Sequence, residues 1–346
     1  MPIFTADYLK RISKEMFLAA GIPAEDAELV ADSLVTSNLM GMDSHGVIRV
    51  IQYLDLIAEG KIAPGARLEI VTDAPAMAVA RGGWGIGQVI ARQAATLAVE
   101  KARQCGIGAV SVGECSHTGR VGEHTAWVAE QGMLGLATVN SHGAATHVAP
   151  WGGREGRLST NPISFAAPMP DGPPLVVDVA TSVTAEGKIR VARNSGKKLP
   201  DAWVISADGR ISDDPNDLYG PPRGAILPLG GIVGHKGYAL SVMIDILSGS
   251  LSSAGLSGSG ARLGNGFYIQ AIDIQRFIPM EEFLQRIGQF AAFLKSSKLA
   301  PGFSEILLPG ELEYRMMDKR LQEGIMVDEE TWRQLSNKAA RLGVQL

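Results

Sequence analysis

With 346 residues, 46% of them hydrophobic, the chain can bury a large core, either as two packed domains or as one large α/β unit. Its net charge of −4 at pH 7 argues against a nucleic-acid partner or an anionic membrane surface. Two cysteines, Cys105 and Cys115, are too few for a disulfide framework and stand in no zinc-ligand spacing, so a reducing cytosol is the simple expectation.

Residues 5–20 predict a helix: Thr5 is a suitable N-cap, Leu9, Ile12 and Met16 mark one face, and Gly21 is a stop. Basic and acidic residues (Lys10, Arg11, Lys14, Glu15) interrupt this segment, so it does not read as a signal sequence. Pro23 starts a second helix, striped by Ala27, Val30, Ala31, Leu34, Val35 and Asn38 and ended by Gly41. A short turn leads to a third, over about residues 47–58. Residues 68–71 and 77–80 predict a hairpin. Strand and helix then alternate: helix 85–104, strand 107–112, helix 119–131, strand 134–140. Strands 163–167 and 175–179, helix 182–192 and a strand at 202–207 follow. This order argues α/β layers.

Residues 208–224, rich in Asp, Pro and Gly, read as a loop. An apolar helix over 235–251 precedes a Ser/Gly tract, 252–266, that reads as a mobile loop. A strand at 267–274, a helix at 280–296, a short strand at 306–308 and two helices, 311–322 and 328–342, close the chain. Helices at both ends predict that the termini pack together, within one chain or across a dimer interface. The boundary pattern divides the chain into a helical unit, residues 1–65 with 310–346, and an α/β region, residues 66–309.

The G-x-G-x-x-G fingerprint of a Rossmann dinucleotide site is absent, as is a P-loop. The stretch Met42 to Val50 offers more, because Ser44, His45 and Arg49 stand at the mouth of the third helix. A helix starting near Gly46 would put His45 at its positive end, which disfavours imidazolium and keeps a neutral ring able to exchange protons. Arg49, one turn on, can reach the same volume, and a guanidinium fork suits a substrate carboxylate. Ser44 can orient the imidazole. The same residues also fit a helix cap followed by a surface charge.

Further strings carry weaker signals. His117-Thr118-Gly119-Arg120-Val121 follows a strand and opens a helix, an arrangement that can bind an anion or simply cap the helix at Thr118. His124 reads as structural. His142 and His147 lie in a Gly/Ala-rich loop, but without acidic or cysteine partners no metal is expected. Ser159 to Pro162 is a polar turn, and Asp178 ends a buried strand. His235-Lys236-Gly237 puts a cation at a helix N-terminus, which suits a phosphate. Pro309-Gly310-Glu311 reads as a helix start.

Taken in order, Asp43-Ser44-His45-Gly46, Ser116-His117-x-Gly119-Arg120, Thr160-Asn161-Pro162, Asp178-x-Ala180-Thr181-Ser182, His235-Lys236-Gly237-Tyr238-Ala239 and Leu307-Leu308-Pro309-Gly310-Glu311 resemble the type-2 malate/L-lactate dehydrogenase family over nearly the whole chain. The resemblance implies an NAD- or NADP-dependent oxidoreductase, usually a homodimer, acting on a small 2-hydroxy/2-oxo acid of malate, lactate or aryl-lactate type. It implies a non-Rossmann α/β fold, with a mixed sheet and helical ends packed together, which accounts for the missing fingerprint. It makes His45 the proton donor/acceptor, Ser44 its relay partner, Arg49 the substrate-carboxylate ligand and Thr160 a substrate-facing residue. His117 is the second acid/base candidate. Around the cofactor it places His117, Thr118, Gly119, Arg120, Val121, Ser141, Asp178, Val179, Ala180, His235, Lys236, Leu308, Pro309, Gly310 and Glu311.

The segment Glu186-Gly187-Lys188-Ile189 departs from the cyclic-imine-reducing branch, where an aspartate completes the relay and Lys188 stands here. Asp43 and Glu186 are the candidate replacements. Alternative substrates on the same scaffold are a cyclic imino acid, ureidoglycolate or a sugar acid. A non-catalytic nucleotide-binding paralogue is the alternative of another class.

Overall fold

The structure, a computed structural model, describes residues 1–143, 146–194, 196–259 and 262–346. In chain order it forms β1 (Ile3–Phe4), α1 (Ala6–Ala19), α2 (Ala24–Leu39), a 3₁₀ turn (Asp43–His45), α3 (Ile48–Ala58), β2 (Glu69–Ala74), β3 (Met77–Arg81), α4 (Gly87–Cys105), β4 (Ile107–Cys115), α5 (Val121–Glu130), β5 (Met133–His142), β6 (Ile163–Ala167), β7 (Leu175–Val179) and α6 (Glu186–Asn194). Then come β8 (Val204–Ile205), β9 (Ile211–Ser212), α7 (Asn216–Tyr219), β10 (Ala225–Ile226), α8 (His235–Gly249), β11 (Gly264–Asp273), α9 (Met280–Lys295), α10 (Glu311–Glu323), β12 (Ile325–Met326) and α11 (Glu329–Leu342).

The main sheet has seven strands in the order β2-β3-β4-β11-β5-β6-β7. Only β3 and β4 run parallel; the other neighbours are antiparallel. Helices cover both faces, and the side-chain alternation of β5 shows how. Ala137 and Val139 join the apolar core beneath α4 and α5. Thr138 and Asn140 point the other way, to Ser248 and Asp245 of α8, at 2.8 and 2.6 Å. A small sheet, β10-β8-β9, packs over Val148, Ile189 and Leu218.

The helical ends form a separate core. Leu9, Ile12, Met16 and Phe17 of α1 meet Val30, Leu34 and Val35 of α2, Tyr53 and Leu54 of α3, and Ile325, Leu335 and Ala339 from the C-terminus. The short ribbon β1–β12, with Ile3 opposite Met326 and Phe4 opposite Ile325, ties the two chain ends. The fold is therefore α/β with a mixed sheet and packed helical termini.

Several local expectations need correction. Residues 264–266 belong to β11 and not to the Ser/Gly loop, because Gly266 pairs with Asn140. A Cβ there would lie 2.3 Å from the Ser248 carbonyl oxygen, so glycine marks a close approach of α8 to the strand. Residues 260 and 261 of that tract, and 144 and 145 of the loop between His142 and His147, lie outside the described residues. No strand forms at 306–308; just beyond it, the Pro309 carbonyl accepts from the Val176 N–H of β7 at 3.2 Å. The 208–224 segment holds β9 and α7. Among the described residues no helix is long and apolar enough to cross a membrane.

Candidate active site

The site forms where the helical end unit meets the loop between β4 and α5. Thr5 caps α1 by accepting the Tyr8 N–H, and the stripe of α2 holds that helix in the end core. The chain leaving α2 is then clamped by Asn38. Its Oδ1 accepts the Val47 N–H at 2.8 Å, and its Nδ2 donates to Asp43 Oδ1 at 2.7 Å. Gly46 is required here, since a Cβ would fall 2.2 Å from Asn38 Oδ1. Arg320 of α10 closes the clamp, donating to Asp43 through two nitrogens (2.7 and 3.0 Å) and to the Asn38 carbonyl.

This clamp presents Ser44, His45 and Arg49 together. Ser44 Oγ lies 3.0 Å from His45 Nδ1. Arg49 Nε donates to the Ser44 carbonyl at 2.7 Å, and its Nη1 donates to Gln52 at 2.6 Å. The His117 ring, carried by the β4–α5 loop, stacks on His45 with centroids 5.4 Å apart. Tyr53 Oη lies 2.7 Å from His117 Nδ1 and accepts from Gln88 Nε2 at 2.9 Å. The structure thus joins His45, Ser44, Arg49 and His117 in one cluster.

Both imidazoles are held neutral. Burial, then the charges of Arg49 and Arg120, pull His45 down to about 4. His117 is pushed well below the usual histidine value by burial, Arg49 and His45. The helix dipole is not the leading cause, because His45 sits in the 3₁₀ turn before α3 begins at Ile48. Burial and neighbouring guanidiniums act in the same direction.

Beside this pair, Arg120 precedes α5 and is buried, with its Nε unpartnered. It shares a cleft with Asp178, Val176, Gly310, Tyr314, Met40 and Met42. Asp178 accepts the Gly122 N–H at 2.7 Å, so the first turn of α5 already holds a carboxylate. Burial raises Asp178, opposed by Arg120 and by this hydrogen bond. A free buried donor next to a carboxylate acceptor fits a group carrying both kinds of partner, such as a carboxamide or a ribose hydroxyl, as a nicotinamide dinucleotide requires.

The other predicted positions are more scattered. Thr118 N–H donates to Asn265 Oδ1 at 3.0 Å, its carbonyl accepts from His124 Nε2, and Gly119 turns the chain at φ 76°. His124 is structural. The Val121 side chain is in the sheet core, leaving its backbone for any ligand. Val179 is exposed at the end of β7, and Ala180 follows it. Leu308 is buried, Pro309 and Gly310 rest on Val176, and Glu311 folds back on the Leu308 N–H and pairs with Lys295. Ser141 Oγ accepts from Asn265 at 2.9 Å. The Thr160 carbonyl accepts the Thr181 N–H at 2.9 Å, and the Thr181 carbonyl accepts the Leu229 N–H, which ties Thr160 to the segment before α8. His235 and Lys236 are exposed in the first turn of α8, where His235 meets Trp151 edge-on at 5.8 Å.

Of the candidate relay carboxylates, Asp43 is committed to Arg320 and Asn38, and Glu186 accepts from the Tyr219 hydroxyl at 2.6 Å. Lys188 is exposed. Sequence reasoning missed Asn38, Tyr53, Gln88 and Arg320. Only Tyr53 left a signal: it lies four residues after Arg49, on the same helix face, in an apolar helix where a buried phenol needs a partner.

Comparison with known proteins identifies the family. Residues 4–336 match the family described as malate/L-lactate dehydrogenase. A malate dehydrogenase of Pyrococcus horikoshii is 39% identical, over 94% of this chain and 91% of that one. Hydroxycarboxylate dehydrogenase B of Escherichia coli O157:H7 is 33% identical, over 99% and 94%. The crystal structure of malate dehydrogenase from Entamoeba histolytica superposes with a TM-score of 0.93 at 29% identity, covering 100% and 99%. These whole-length matches make the chain an oxidoreductase of the malate/L-lactate dehydrogenase family.

Proposed function

We propose that the protein transfers a hydride between a nicotinamide dinucleotide, NAD or NADP, and C2 of a small 2-hydroxy/2-oxo acid of the malate, lactate or aryl-lactate type. The observation that carries this is the pair of neutral imidazoles beside Arg49 and Arg120, neither of which has an ion-pair partner among the described residues. Guanidiniums beside neutral proton carriers suit an anionic, oxygen-bearing substrate.

In this assignment Arg49 holds the substrate carboxylate and fixes C2, and Thr160 faces the substrate. His45, oriented by Ser44, gives a proton to the C2 oxygen in reduction and takes it in oxidation. A bound carboxylate offsets the Arg49 charge, which raises His45 towards the range where it can donate. The groups around the cofactor are Arg120, Asp178 and the 308–311 turn, with the 117–121 backbone, Ser141, Val179, Ala180, His235 and Lys236. When bound, the nicotinamide supplies or accepts the hydride at C4.

The chain works as a homodimer in which the helical unit, residues 1–65 with 310–346, carries the subunit contacts and the catalytic histidine, and residues 66–309 bind cofactor and substrate. The free cysteines, Cys105 and Cys115, suit a reducing compartment such as the cytoplasm.

A panel of 2-hydroxy and 2-oxo acids, with a cyclic imino acid, ureidoglycolate and sugar acids alongside, assayed by NADH and NADPH absorbance, tests the substrate class. His45→Ala should abolish turnover while cofactor binding by fluorescence titration persists. An unchanged kcat would remove His45 from the chemistry. Arg49→Ala should chiefly raise the KM for the acid, and an unchanged KM would remove the carboxylate contact.

A further inference from the structure

The hydrogen bonds at Tyr53 have a direction. This residue is 1% exposed, and its hydroxyl has two partners, Gln88 Nε2 at 2.9 Å and His117 Nδ1 at 2.7 Å. A phenol has one proton. Because Gln88 donates to the oxygen, that proton goes to His117 Nδ1, which must be bare. The Gln88 Oε1 atom is left without a partner. Turning the amide over would strand its N–H groups instead, and buried N–H groups are orphaned less often than carbonyl oxygens. Burial raises Tyr53 to about 12, so its hydroxyl keeps the proton at neutral pH. His117 is itself neutral, and a neutral imidazole with a bare Nδ1 carries its proton on Nε2.

We propose that Tyr53 and Gln88 lock His117 as the Nε2–H tautomer, making it a fixed hydrogen-bond donor to the substrate's C2 oxygen while His45 alone moves the proton. The inference rests on the hydride-transfer function proposed above. His45 has no such lock, because its Nδ1 meets a serine hydroxyl that can rotate to donate or to accept. The adaptable ring is therefore the proton carrier and the fixed ring the electrophile.

In reduction the incoming hydride brings the electron pair of the new C2–H bond. The carbonyl π pair becomes an oxygen lone pair, and a proton from His45 completes the hydroxyl. Oxidation reverses each step. The His117 N–H bond breaks in neither direction; it stabilises negative charge as it develops on oxygen. Tyr53 and Gln88 are positioning residues that act through His117.

The test is a long-range ¹H–¹⁵N correlation spectrum of the full-length protein labelled at histidine, with His117 assigned from its absence in His117→Asn. The expected signature is a bare Nδ1 and a protonated Nε2 at neutral pH. In Tyr53→Phe and in Gln88→Met the signal should become a mixture of tautomers. Gln88→Met leaves the Tyr53 ring in its core and serves where Tyr53→Phe disturbs folding. Kinetically, Tyr53→Phe should lower kcat about tenfold, the loss of one neutral hydrogen bond. The KM for the acid and the pH limb of kcat/KM should hardly move.

A proton on Nδ1 of His117 in the wild-type protein overturns the proposal. So does an unchanged tautomer in both variants, or a pH limb that shifts in Tyr53→Phe and thereby makes His117 the titrating group. The spectrum needs no substrate. A correct tautomer in a protein that oxidises no acid would therefore count against the proposed reaction, and a wrong one in an active enzyme would count against the lock.

Discussion

His45 is a histidine whose charge state is set first by burial and then by the charges of Arg49 and Arg120. Its value of about 4, against about 6.5 for an ordinary histidine, predicts that kcat/KM for acid oxidation stays flat well below the usual histidine range and falls only near the lower value. Arg49→Gln should move that limb upward, measurable as a pH profile of whatever activity survives. The same shift acts on stability. Between the two values the unfolded chain binds more protons than the folded one, so stability falls as pH drops through that window. His45→Gln should therefore lose less stability than the wild type between about pH 7 and about pH 5 in urea titrations. Ser44, His45 and Arg49 were legible as a group because they share one turn and the helix after it. Tyr53 and Gln88 were not, because their pairing with His117 is made by three elements that only the tertiary fold brings together.

Among the elements, the turn from α2 to α3 matters most for the site. Its shape depends on Asn38 bridging Asp43 and Val47, and on the missing side chain of Gly46. Gly46→Ala must displace either the turn or the Asn38 amide that holds it. A displacement of that kind lowers kcat by about 10²-fold, checked by steady-state kinetics on folded protein. Arg320→Met should cost no more than about 1 kcal/mol of stability, since its partner Asp43 is half exposed, yet lower kcat by more than that loss alone explains. Equal melting temperature with unchanged kcat would show that the clamp is unnecessary. Helices were legible in the sequence from their caps and stripes. The glycines of β11 were not, because composition cannot separate a flexible tract from a strand that a helix approaches closely.

At the scale of the molecule, the sheet and the helical ends are separate cores joined across the site. Leu335, 1% exposed in α11, packs into the end core, so Leu335→Ala should cost about 2–5 kcal/mol. Chemical unfolding measures that directly, and a loss below about 1 kcal/mol would mean that the C-terminal helices contribute little. The packing of the two termini was legible from helices at both ends, whereas the β1–β12 ribbon, two residues to a strand, was too short to leave a pattern.

The Asp43–Arg320 contact spans 277 residues of sequence. A ribosome releases Ser44, His45 and Arg49 long before the side chain that closes their clamp. Non-local contacts of this kind form late. The turn that presents Ser44, His45 and Arg49 therefore waits for its clasp until a segment 277 residues further along has folded against it.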